Sequence, residues 1–145
     1  MKTKLIITVT VLMFSILSHA QDSFRFFYAE GLMDGKMKVT MVGTSNVWDC
    51  TAETYYTVMY KYDNVSNWLL LDVDHDGKNN FSMVEYGFTG LMILKETPKN
   101  FNGIWISPDQ KRQLKVNFEK KKVSEAQQER LIQILEDLNY SYNDC

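Results

Sequence analysis

Histidine is scarce in this chain of 145 residues: there are two, His19 and His75. Hydrolytic triads and zinc centres are therefore left almost without a base or a ligand. Cysteine is equally rare, and Cys50 with Cys145 allows one intramolecular bridge rather than a disulfide framework. With two prolines and seven glycines, the chain has no linker, no low-complexity segment and no solenoid-type repeat. Neither a glycine-rich phosphate loop nor a dinucleotide fingerprint occurs. Basic residues give no excess, since 16 Lys and Arg stand against 18 Asp and Glu for a net charge of −2. Nucleic acid is excluded as a partner on that balance, because phosphate neutralisation needs a basic face.

What is present first is an export pattern. Lys2 and Lys4 precede an apolar run from Leu5 to Leu17, and Ser18-His19-Ala20 follows with small residues before a cleavage point. The apolar run covers only about 20 Å of helix, against about 30 Å of hydrocarbon, so residues 1–20 read as a signal peptide rather than an anchor. Gln21 stands where a lipoprotein would carry cysteine. A single domain over residues 21–145 is expected, exported to a periplasmic or extracellular location and not membrane-spanning after cleavage. An oxidising compartment would let Cys50 and Cys145 pair, closing a loop of about 95 residues worth roughly 4 to 5 kcal/mol; two unpaired thiols are the alternative.

The dominant period beyond the signal is two. Lys36-Met37-Lys38-Val39-Thr40-Met41 alternates polar and apolar residues, as a strand with one wet and one buried face must. Comparable runs follow over 53–62, 68–74, 80–86, 89–96, 103–107 and 113–119, with a possible eighth over 24–28. Turn-forming stretches separate them, including Gly43-Thr44-Ser45-Asn46, Asp63-Asn64, Asp76-Gly77 and Pro98-Lys99-Asn100. Connections this short exclude crossover helices, so the pattern predicts a mainly β fold: an antiparallel meander of seven or eight strands, closed as a small barrel or curled, with a two-sheet sandwich as rival. After Lys122 the period changes. Ser124 and Gln127 form a capping box, and Leu131, Ile134, Leu135 and Leu138 recur at helical spacing, which predicts one helix over 124–138 docked on the barrel wall or an open end.

Three groups of residues invite chemistry. Asp72, Asp74 and Asp76 precede Gly77 as in the opening of a calcium loop, but Met83 stands where the bidentate glutamate belongs. An acidic β-hairpin turn accounts for the same letters, and calcium remains a weak candidate beside an expectation of no cofactor. Glu85 and Glu96 on adjacent strands form the one pair of carboxylates suited to glycoside chemistry, and Glu85 follows Phe81 and Met83 toward the interior. Aromatic residues are the third group. Tyr56, Tyr60, Trp68 and Trp105, with Glu85, are the candidate ligand-binding residues, with core packing as the competing role.

Several of these segments together, from Gly35-Lys36-Met37-Lys38-Val39-Thr40-Met41 through Thr54-Tyr55-Tyr56, Trp68-Leu69-Leu70-Leu71, Phe81-Ser82-Met83-Val84-Glu85 and Thr89-Gly90 to Phe101-Asn102-Gly103-Ile104-Trp105, resemble a set of small exported bacterial β-meander proteins. That resemblance implies a barrel-like domain, mostly without an assigned biochemical role. The Gly103-Ile104-Trp105 segment is also similar to the Gly-x-Trp of lipocalins, although theirs lies on the first strand. The functional expectation is a non-enzymatic binding or accessory module of the cell envelope, contacting an envelope or secreted protein through its rim and loops. The alternatives are a carrier of a small hydrophobic ligand, softened inside by methionines, and a glycan-active enzyme using Glu85 and Glu96.

Overall fold

A computed structural model describes residues 24–48 and 50–143. The expected signal, residues 1–20, lies outside the described residues. Eight antiparallel strands run in sequence order around a closed barrel: β1 (Arg25–Met33), β2 (Met37–Val47), β3 (Thr54–Tyr62), β4 (Leu69–His75), β5 (Asn80–Glu85), β6 (Leu91–Glu96), β7 (Asn100–Ile106) and β8 (Gln113–Lys120). Pairing of β1 with β8, from Ala29↔Lys120 to Met33↔Val116, closes it and removes both sheet edges. One helix, α1 (Glu125–Asn143), follows. The mainly β barrel with a C-terminal helix is thus as the sequence predicts, and the sandwich is not formed.

Alternation decides the interior. Inward residues of all eight strands, from Phe27 and Ala29 on β1 to Val116 and Phe118 on β8, pack as one buried cluster. At eight strands the lumen is just wide enough for such side chains to fill, and five methionines adapt to its irregular gaps. Phe27, Phe81 and Phe101 contact one another through ring centroids 5.1 and 6.3 Å apart.

Strand β2 departs from the predicted pattern. Val39 to Ser45 are buried without interruption, so the expected turn at Gly43-Thr44-Ser45-Asn46 is instead the second half of a long strand. Two contacts explain this. Inside, the Phe27 ring lies so close to Gly43 that an added Cβ would sit 2.3 Å from Cζ, so glycine here serves ring packing. Outside, α1 covers the strand: Leu131 and Leu135 pack on Val42, Met59 and Leu70. The helix therefore docks on the wall, and Ser124 Oγ caps it by accepting from Gln127 N–H at 3.3 Å. It continues past Leu138 to Asn143, further than the apolar repeat reaches. Strand β7 likewise starts at Asn100, inside a predicted turn.

Candidate functional site

In this meander the loops after β1, β3, β5 and β7 gather at one end of the barrel. There the structure brings three of the candidate residues together. Tyr60, Glu85 and Trp105 lie on β3, β5 and β7, and inward residues of alternate strands in a barrel meet in one layer. Glu85 is 4% exposed, yet both its carboxylate oxygens are hydrogen-bonded. Its Oε1 accepts from the Tyr60 hydroxyl and from the Trp105 indole Nε1–H at 2.6 Å, and its Oε2 accepts from the Thr89 hydroxyl at 2.6 Å. Burial, then the bond to Glu85, pushes the Tyr60 hydroxyl pKa far above its ordinary value of 10.0, so the phenol stays a donor. Arg112 lies over the Trp105 ring, 5.5 Å from its centroid, and closes the layer from above.

The backbone of the same residue braces the connection from β5 to β6. Glu85 N–H donates to Gly90 C=O at 2.9 Å, and Phe88 N–H donates to Glu85 C=O at 2.8 Å. Gly87 and Phe88 both hold left-handed backbone, with φ of 80° and 55°. For phenylalanine that conformation costs about 1 to 2 kcal/mol, so the surrounding bonds must enforce it. Gly90 is glycine for space: a Cβ there would fall 2.3 Å from Trp105 Nε1 and 2.5 Å from Glu85 Oε1. The result is a fixed loop that turns Tyr86 and Phe88 outward, 56% and 59% exposed. Tyr86 packs against Tyr142 of α1 in a tilted pair with centroids 4.3 Å apart, which ties the loop to the helix end.

The remaining candidates lie elsewhere. Tyr56 is inside the opposite end, edge-on to His75 and Phe81. Trp68 packs outside the barrel with the α1 cluster, under Lys61 Nζ at 5.0 Å. Glu96 is separated from Glu85 by the whole length of the β5–β6 hairpin, since Val84↔Leu91 and Asn80↔Lys95 mark its two ends. That is about 20 Å of strand, against the roughly 5 to 9.5 Å that glycoside hydrolysis requires, so the paired-carboxylate expectation is corrected. Glu96 instead bonds Arg25 and Lys120. Burial pulls its pKa up, but the bonds from those two cations outweigh burial and hold it below the ordinary 4.5.

His75 is also spent. Its Nδ1 accepts from Gly77 N–H at 3.1 Å, which leaves Nε2 to carry the proton and donate to Thr54 C=O at 2.8 Å. Asp76 closes the β4–β5 turn by accepting from Lys78 N–H and Asn80 N–H at 2.9 and 3.1 Å. Hydrogen bonds from Asn80, then Lys78, lower its pKa to about 2. Asp74 accepts from His75 N–H at 2.8 Å, and Asp72 is exposed on the strand before it. These carboxylates thus serve a hairpin, and among the described residues no group of three His, Cys, Asp or Glu is placed to hold a metal. Cys50 is exposed with a free thiol, so the structure gives the expected bridge no support; Cys145 lies outside the described residues.

Sequence reasoning singled out Tyr60, Glu85 and Trp105 as site candidates but did not place Tyr86, Phe88, Thr89, Gly90 or Tyr142 beside them. The available signal was the short Gly87-Phe88-Thr89-Gly90 link directly after an inward glutamate. No family model matches the chain, and neither the curated proteins nor the solved structures hold a significant match. The likeness to exported β-meander proteins therefore gains no support beyond the barrel itself. No helix among the described residues is long and apolar enough to cross a membrane.

Proposed function

We propose that the protein is a non-enzymatic binding module of the cell envelope that contacts a protein partner through the β5–β6 loop and the neighbouring end of α1. One observation carries this reading: a loop held by a buried carboxylate, bonded through both oxygens, exposes Tyr86 and Phe88 beside Tyr142. Rigid aromatic side chains contribute large contact area at low entropic cost, which is why they dominate interface hot spots. Trp48, exposed at the opposite end and tilted against Tyr55 at 4.6 Å, is too far round the barrel to join this patch.

The carrier alternative would need a lumen where this barrel holds Met41, Phe101 and Phe118. The glycan-active alternative would need carboxylates that face one another. Neither gains support from these contacts. The test is recovery of partners from native envelopes by the tagged protein and by Phe88→Asp, matched for melting temperature. A stoichiometric partner kept by the wild type and lost by the variant supports the reading; equal recovery by both overturns it.

A further inference from the structure

The barrel wall parts between β3 and β4. Their strands face each other over seven residues, yet only Val58, Met59 and Tyr60 pair, with Leu71, Leu70 and Leu69. Continuing that register sets Tyr56 opposite Val73 and Thr54 opposite His75. At the Thr54 end, side chains replace the missing ladder, because the His75 ring bonds Thr54 C=O and Asp74 takes the His75 N–H. The seam is thus bridged at both ends and open between them, where antiparallel alternation aims the main-chain groups of Tyr56 and Val73 across it.

A cleft of about 290 Å³ fills this opening. The strands line it through Tyr56, Asp72 and Val73, and Tyr86 with Asn139 and Asn143 of α1 overhang it. Its volume is near the lower limit of about 300 Å³ for small-ligand sites. Asp72 is the one charged residue among those that line it. No lysine or arginine lines it. Asp72 has no ion-pair partner among the described residues. The last turn of α1 contains no basic residue to offset the partial negative charge of its carbonyl end. The Asn143 amide N–H is consumed by Asn139 C=O and Oδ1 at 3.1 and 2.9 Å, so it offers a ligand no donor. The Tyr86 ring, tilted at 49° against Tyr142, adds an aromatic surface at the rim. A carboxylate, a helix carbonyl end and an aromatic face together recognise a cation that carries hydrogen-bond donors and an apolar stem.

We propose that this cleft binds an alkylammonium group, with Asp72 as its counter-ion, supplied by a lysine side chain of a partner or by a free primary amine. The site borders the Tyr86–Tyr142 patch, but its test does not depend on the partner reading above, since small amines and the protein alone suffice. Butylammonium chloride titrated into the isotope-labelled protein should shift the amide signals of Val73 and Tyr86 saturably at millimolar concentration, while butanol and sodium butyrate should not. Asp72→Asn should weaken binding about tenfold at an unchanged melting temperature. Tighter binding of an α-acetylated lysine amide than of butylammonium identifies the partner side chain as the source, and the reverse identifies a free amine. No saturable shift, an equal response to butanol, or full binding by Asp72→Asn overturns the proposal.

Discussion

Glu85 shows how much one side chain holds in place. Its carboxylate accepts from donors on β3, β7 and the β5–β6 loop, so removing it strands three polar groups in the barrel end. Glu85→Ala should cost about 3 kcal/mol or more, at roughly 1 to 3 kcal/mol for each buried donor left unpaired. Glu85→Gln keeps an acceptor for Tyr60 and Trp105 and lets the Thr89 hydroxyl turn to accept, so it should cost about 1 kcal/mol. Urea denaturation at matched slope measures both, and an alanine variant as stable as the glutamine one would end the bracing role. Glu96 contributes to acid sensitivity. Its folded pKa lies below 4.5 because Arg25 and Lys120 outweigh its burial. A carboxyl lowered on folding stabilises above its unfolded pKa, and that contribution fades as pH falls through the folded value. Melting temperature should therefore fall more steeply below about pH 4.5 in the wild type than in Glu96→Gln, and parallel curves would contradict the ion-pair assignment.

Among the elements, the β5–β6 loop and α1 differ in what maintains them. The loop depends on fit: Gly90→Ala would press a methyl against Trp105 and Glu85, so a clear loss of melting temperature is expected. Phe88→Gly should do the opposite, leaving stability unchanged or raising it by up to about 1 kcal/mol, because glycine accepts φ of 55° without strain. A phenylalanine in this left-handed backbone is better explained by its exposed ring than by folding. The helix depends on burial. Leu135 is 1% exposed against Val42, Met59 and Leu70, so Leu135→Ala should cost about 2 to 5 kcal/mol by calorimetry or denaturant titration.

For the whole molecule, closure is uneven. Strands β1, β2 and β3 pair along nearly their full lengths, whereas β3 and β4 share three residue pairs. Amide exchange should report this directly: Val58 and Leu71 should be protected, and Tyr56 and Val73 should exchange faster despite lying within strands. Equal protection would mean that the seam is closed in solution. A meander keeps neighbours in sequence adjacent, but pairing β1 with β8 joins the two ends of the barrel. Folding in milliseconds to seconds is expected for such non-local closure.

The alternation of Met37 to Met41, the short turns and the switch of period at Ser124 already specified a β-meander with one helix, because each is a local matter of which face is wet. Tyr60, Glu85 and Trp105 were legible as inward aromatics and a carboxylate for the same reason. Their meeting was not, since strand register and barrel stagger decide which inward residues share a layer. Nor could sequence reveal that β2 runs through Gly43, which required the Phe27 ring on one side and α1 on the other. The separation of Glu85 from Glu96 and the parting of β3 from β4 are likewise tertiary facts: pairing distances belong to the closed barrel, and no stretch of chain carries them alone.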